Sequence, residues 1–85
     1  MTLSPADADT NFDNITNFGL YKSYDWSSLA NFPQGAWYVG TLKVEPGVDE
    51  NWRKQIYSDI NSKIWVRIFN INTTGEHPWK EISTV

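Results

Sequence analysis

The chain has 85 residues, a net charge of −3, five tryptophans and no cysteine. Its length predicts one small domain, and the lack of cysteine excludes disulfides and thiolate metal sites. Its Lys and Arg form no cluster along the sequence, so neither nucleic acid nor an anionic membrane is an expected partner. No apolar run approaches the roughly 20 residues of a membrane-spanning helix, and the N-terminus does not resemble a signal peptide, so membrane insertion is not expected.

The N-terminal region divides at residue 11. Residues 1–10 are small, polar and acidic, and they predict a flexible linker because they offer little apolar surface to bury. Residues 11–85 form the predicted domain. It opens with a short helical turn that Asn11 caps, and the spacing of Phe12 and Ile15 lets both side chains face the core.

The rest of the domain alternates apolar and polar residues between turns rich in Gly, Pro and Asn. This pattern predicts five strands: Leu20–Tyr24, Trp37–Glu45, Trp52–Ser58, Ile64–Ile71 and Pro78–Ser83. In the second of these, one face is expected to carry Tyr38, Gly40, Leu42 and Val44, and the other Trp37, Val39, Thr41 and Lys43. Because the strands are close in sequence, we predict a mainly β fold, a small antiparallel meander with a short N-terminal helical turn.

The sequence gives little support for catalysis or metal binding. His77 is the only histidine, and no nucleophile motif accompanies it. The acidic segment that begins at Asp7 has phenylalanine where a calcium loop needs glycine and glutamate. A carboxylate pair of the glycosidase type needs a cleft, for which a chain of this length has little room. We therefore expect no enzyme activity, no cofactor and no metal.

Arg67 lies within the most apolar predicted strand, between Val66 and Ile68. An inward-facing arginine needs a partner because an unpaired buried charge is costly. Glu45 and Glu81 are the candidate partners for such an ion pair. The alternative is that Arg67 contacts an anionic ligand.

The five tryptophans carry the predicted recognition chemistry. Aromatic faces stack on the apolar faces of sugar rings, although each tryptophan can equally be core. Trp26 and Trp52 adjoin polar residues at strand or loop edges and are expected to be the most available, whereas Trp37, Trp65 and Trp79 lie in better strand contexts. The predicted ligand-contact set is Tyr24, Trp26, Asn51, Trp52 and Arg53.

Several segments together resemble a family of fibre modules. These are Asn11–Tyr21 with its Thr16, Gly19 and Tyr21, then Gln55 and Tyr57, then Ile64–Arg67, and the closing Trp79–Ile82. In this order and spacing they resemble the pyocin-knob-type module of phage tail fibres and related bacteriocin fibres, over about residues 11 to 82. The chain departs from the family at Phe18, which stands where proline is common, and at 76–78, where the first tryptophan of the closing pair is missing.

The resemblance implies a non-catalytic receptor-binding module that recognises polysaccharide on the host cell surface. It further implies adjacent fibre domains, a possible homotrimer, and a place on the virion tail fibre or at the bacterial cell surface. Two alternatives stay open at this point: a purely structural trimerising or spacer knob, and a carbohydrate-binding module attached to a cell-wall hydrolase.

Overall fold

A computed structural model describes residues 2–3, 11–23, 26, 30–73 and 75–82. The fold is mainly β and consists of one sheet, in which the spatial order of the strands follows their order in the chain. The strands are β1 (Thr2–Leu3), β2 (Gly19–Ser23), β3 (Gly40–Pro46), β4 (Trp52–Asp59), β5 (Ile64–Asn70) and β6 (Lys80–Ile82). Strands β2 to β6 pair antiparallel, which confirms the predicted meander, and β1 adds in parallel to β2.

The N-terminal turn is a 3₁₀ helix, Phe12–Asn14, as the capping pattern predicted. The Asn11 side-chain oxygen accepts a hydrogen bond of 2.9 Å from the Asp13 amide, and Phe12 and Ile15 are both buried. This cap satisfies an amide that the short helix itself leaves unpaired. Across the described residues, the structure contains no helix whose length and apolar character would let it cross a bilayer.

Strand β6 begins at Lys80, two residues after the predicted Pro78, and two larger differences from the prediction lie at β3 and near the N-terminus. Strand β3 begins at Gly40 rather than Trp37, because the backbone before it bonds elsewhere: the Trp37 amide donates to Asp59 Oδ2 at 3.0 Å and the Tyr38 carbonyl accepts from the Trp26 amide at 2.8 Å. In the predicted linker, Thr2–Leu3 pair with β2. Residues 4–10 lie outside the described residues.

The two faces of the sheet have different surroundings. One, called here the inner face, is covered by the N-terminal turn and by residues 30–39. The buried cluster on this face consists of Phe12, Ile15, Tyr21, Trp26, Leu42, Val44, Tyr57 and Trp65. The opposite, outer face carries the alternate residues of each strand. The predicted facing of β3 is confirmed for Gly40, Leu42 and Val44, which are buried, and for the exposed Thr41 and Lys43.

A polar network fixes the N-terminal turn to the inner face. Gln55 of β4 is fully buried, and its side-chain amide donates to the carbonyls of Phe12 at 2.7 Å and Ile15 at 2.9 Å. Its oxygen accepts from Nε of Arg67, the residue opposite it on β5, at 2.7 Å. The turn therefore docks through hydrogen bonds as well as through apolar contact.

Arg67 points inward, and its ion-pair partner is neither Glu45 nor Glu81. A guanidinium nitrogen lies 2.8 Å from Asp13 Oδ1 of the N-terminal turn, although the two atoms are poorly aligned for a hydrogen bond. Both predicted partners were wrong. Glu45 faces outward and forms ion pairs with Lys43 and Lys54. Glu81 shares the inner face but is exposed, and Asp13 of the N-terminal turn lies beside the guanidinium instead. Burial lowers the pKa of Arg67 and the Asp13 carboxylate opposes that shift, so the guanidinium stays charged at neutral pH.

Candidate functional site

A groove of about 560 Å³ opens on the inner face beside β5 and β6. One wall is the loop that contains Asn31, Phe32 and Gln34, and the other is the segment from Glu76 to Glu81. The buried ring of Trp65 contributes to the lining between them. A concave, partly apolar surface with a few polar groups is the usual form of a small-ligand site.

Trp79 is the best-anchored side chain of the groove. Its indole N–H donates to the Asn31 carbonyl at 2.7 Å, which ties the two walls together. The Arg67 guanidinium lies 4.6 Å from the ring centroid, and Phe12 meets the ring edge to face at 5.9 Å. These contacts fix the orientation of a ring that remains partly exposed.

His77 occupies the same wall and is half-buried rather than fully exposed. Its ring stacks on Phe69 of β5, with centroids 4.7 Å apart, and its carbonyl accepts a bond from Arg67 at 3.1 Å. Arg67 thus contacts both Trp79 and the backbone of His77, so the buried Arg67–Asp13 pair supports the groove from beneath.

The rim of the groove is polar. Glu76, Glu81 and Gln34 are exposed, and none of them forms an ion pair or side-chain hydrogen bond with any described residue. The fold therefore leaves their carboxylate and amide groups available to a ligand. Such groups accept and donate hydrogen bonds in the paired geometry that vicinal hydroxyls offer.

The structure buries Trp26, which was expected to be among the most available tryptophans. Its exposed fraction is 0%, its ring meets Phe12 edge to face at 5.1 Å, and its indole N–H donates to the Gly40 carbonyl at 2.9 Å. The expectation rested on polar sequence neighbours and was wrong because the chain turns this residue under the sheet. Trp26 offers no face to a ligand.

The other predicted contact residues do not join the groove. Arg53 is used by the fold: its Nε donates to the Thr16 carbonyl at 2.6 Å and its guanidinium lies over the Phe18 ring. Asn51 is exposed in the β3–β4 turn, and the half-buried Trp52 alternates onto the outer face. Tyr24 lies outside the described residues.

Trp37 is the most exposed of the five tryptophans, at 44%, although its sequence context favoured core. Its ring stacks on Tyr38 with centroids 4.9 Å apart. The prediction failed because Trp37 precedes β3 instead of belonging to it. The pair forms a second aromatic surface that lies outside the lining of the groove.

The sequence does carry a signal for the groove. His77, Trp79 and Glu81 are spaced by two, so an extended chain places them on one side. The opposite wall had no such signal, because only the tertiary fold brings Asn31–Gln34 next to this segment. Within the described part of the chain, no group of three or more Asp, Glu or His side chains is arranged to hold a metal ion.

Comparison with protein-family models, curated proteins and solved structures found no match to this chain. The resemblance to the pyocin-knob-type module therefore stays a prediction that rests on the residues quoted for it.

Proposed function

We propose that this protein is a non-catalytic module that binds polysaccharide in the groove between Asn31–Gln34 and Glu76–Glu81. The observation that carries the proposal is the combination in one groove of an oriented, partly exposed Trp79 ring with rim groups that the fold does not use. A sugar ring has an apolar face that stacks on indole and an equatorial set of hydroxyls that carboxylates and amides bind.

Binding is a better match to this groove than hydrolysis. Glu76 and Glu81 are both exposed to water at the rim. A glycosidase general acid instead lies in an apolar enclosure that raises its pKa and keeps it protonated at neutral pH. The rim carboxylates therefore suit hydrogen bonding to hydroxyls.

The wider role proposed for the module follows from the family resemblance. We place it in a phage or bacteriocin tail fibre, outside the bacterial cell, where it contacts host surface polysaccharide beside adjacent fibre domains. A homotrimer accords with this setting, because a chain of 85 residues without cysteine buries little surface alone.

The experiment that tests the proposal is a pull-down of the purified protein on intact bacterial cells and on their extracted wall polysaccharides. We expect the wild type to bind and a Gln34→Ala, Glu81→Ala variant to lose at least about tenfold in affinity, as expected when paired hydrogen bonds to hydroxyls are removed. Both positions are exposed, so the variant is expected to fold.

Trp37→Ala is the matched control, because it removes an exposed aromatic ring away from the groove. Unchanged binding by this variant supports the groove. Loss of binding in Trp37→Ala alone would move the site to the Trp37–Tyr38 surface. A folded wild type that binds no cell and no polysaccharide would overturn the proposal in favour of a structural spacer.

A further inference from the structure

The outer face of the sheet carries a continuous aliphatic strip. Ile56 and Val66 lie directly opposite each other on β4 and β5, and Ile64 lies opposite Ile82 on β5 and β6. Ile68 extends the strip along β5 and is 51% exposed. The β3–β4 turn comes close to one end of the strip, where a Cβ on Gly47 would lie 3.1 Å from Ile68 Cγ2. The core cluster of the described residues lies on the opposite face. Ile68 and Ile82 are exposed, and Ile56, Ile64 and Val66 are half-buried. A run of apolar side chains that stays open to solvent points to an interaction site.

Lysines border the strip on both sides. Lys43 lies opposite Ile56 and Lys54 lies opposite Ile68, while Lys80 lies opposite Val66 on the far side. With Lys22 of β2, four of the five lysines of the chain face outward from the sheet. The only carboxylate that shares this face in the described strands is Glu45.

This face is therefore basic in a chain whose net charge is −3. Glu45 lies 3.4 Å from the Lys43 ammonium and 3.5 Å from that of Lys54, so one carboxylate serves two lysines. Lys22 and Lys80 form no ion pair with any described residue. The sequence does not indicate this arrangement, because the lysines are far apart along the chain and share one face only through the register of the paired strands.

The occupant that complements this face has an apolar stripe bordered by carboxylates. We propose that the outer face docks an acidic amphipathic helix of a partner protein along β5. The seven residues of β5 span roughly 20 Å, which is the length of a helix of about 15 residues. The outer face of a second copy is disfavoured, because its lysines would oppose these lysines. Trp52, the one tryptophan or tyrosine on this face of the described strands, is half-buried and lies opposite Asn70 at the end of β5. The row from Lys43 through Ile56 and Val66 to Lys80 holds no aromatic ring that would anchor it at lipid headgroups.

The proposal is tested with a synthetic helical peptide of about 15 residues that has leucines on one stripe and glutamates on both flanks. A second peptide with each glutamate replaced by lysine is the matched probe. By fluorescence anisotropy, we expect the acidic peptide to bind, the basic peptide not to bind, and the affinity to fall as salt is raised. Failure of the acidic peptide to bind, or equal binding of both peptides, would overturn the proposal.

Two pairs of variants locate the contact. Ile68→Lys and Lys80→Glu alter the strip and its border, and each is expected to weaken binding at least about tenfold. Ile60→Lys and Lys63→Glu make the same changes in the β4–β5 turn and are expected to leave binding unchanged. Equal effects of the two pairs would contradict the assignment, and circular dichroism verifies that each variant is folded.

Two further measurements separate other occupants. The first is sedimentation of the wild type with phosphatidylserine vesicles. If the wild type sediments, Lys80→Glu does not, and the acidic peptide fails to bind, the occupant is a membrane surface and not the proposed helix. The second is a measurement of self-association. If the wild type self-associates and Ile68→Lys abolishes this, the occupant is a second copy of the chain. With the helix as occupant, neither effect is expected.

Discussion

At the scale of single residues, a few buried polar side chains decide how the N-terminal turn meets the sheet. Gln55 contacts the turn and Arg67 at once, and Arg67 reaches the Asp13 carboxylate and the Trp79 ring. The Gln55 hydrogen bonds and the Arg67–Asp13 ion pair each depend on the others being in place. Such networks make single substitutions costly, because each leaves buried partners without a hydrogen bond.

Gln55→Leu is expected to destabilise the fold by about 2–4 kcal/mol. The substitution removes the donor that the Phe12 and Ile15 carbonyls share and the acceptor of Arg67 Nε. Urea denaturation monitored by tryptophan fluorescence measures the effect. Lys54→Gln on the same strand is the control, with an expected loss below about 1 kcal/mol because its ion pair is exposed. Equal losses in the two variants would contradict the role given to Gln55.

Tyr57 makes stability sensitive to alkaline pH. Its hydroxyl donates to the Trp37 carbonyl at 2.7 Å, and burial, aided by the nearby Asp59 carboxylate, raises its pKa above the ordinary value of a tyrosine. Because the unfolded chain loses this proton first, the stabilisation is complete below about pH 10 and is lost as pH rises above it, by up to about 1.4 kcal/mol per pH unit.

Tyr57→Phe isolates this contribution. We expect the variant to be less stable at pH 7 by about 1 kcal/mol, the usual value of the lost hydrogen bond, and to show a shallower loss between pH 10 and pH 11.5 in thermal melts. The two proteins differ only at residue 57, so the comparison isolates the contribution of that residue. Parallel pH curves for the two proteins would show that Tyr57 does not carry the effect.

At the scale of elements, the strands of the meander can be predicted from the residue pattern and the turn residues, whereas the paths of the segments between the strands cannot. Strands β4 and β5 lie within one residue of their predicted bounds because they are rich in β-branched and aromatic residues and are bounded by Asn and Ser at Asn51, Asn61–Ser62 and Asn72. Strand β3 starts late because Asp59 binds the Trp37 amide. That contact joins residues 22 positions apart, and no local pattern reports it.

Gly40, the first residue of β3, lies tightly against the backbone of β4. A Cβ on Gly40 would overlap the Ser58 carbonyl oxygen and lie 2.9 Å from the Tyr57 hydroxyl oxygen. Gly40→Ala is therefore expected to destabilise the protein by about 1–3 kcal/mol, because the backbone of β4 has to shift. Gly75→Ala tests a glycine with open space around it but positive φ, and only a strain of about 1–2 kcal/mol is expected there.

Thermal melts compare the two glycine variants. In Gly40→Ala the shift of β4 is also expected to disturb the Trp26 indole, which donates to the Gly40 carbonyl, and so to change the tryptophan emission spectrum. Gly75→Ala is expected to leave that spectrum unchanged. Wild-type emission in a destabilised Gly40→Ala protein would contradict the proposed crowding at this position.

At the scale of the whole molecule, the fold class is readable from the sequence and the candidate site is largely not. Alternating residues indicated the sheet, and the spacing of Phe12 and Ile15 indicated a docked turn. The groove depends on which loop lies beside Glu76–Glu81, and the basic outer face depends on register across five strands. Both are consequences of long-range pairing, which residue spacing does not encode.

Within the described residues, the sheet ends at each side in a very short strand, since β1 has two residues and β6 has three. An edge strand exposes unpaired N–H and C=O groups, and a long edge is a template on which strands from other chains can add and start an aggregate. Edges of two and three residues offer little length for such addition, and the exposed Lys80 on β6 adds charge repulsion against a stacked copy. Edge strands of this length would limit amyloid-like growth, while the aliphatic strip stays on the broad side of the sheet.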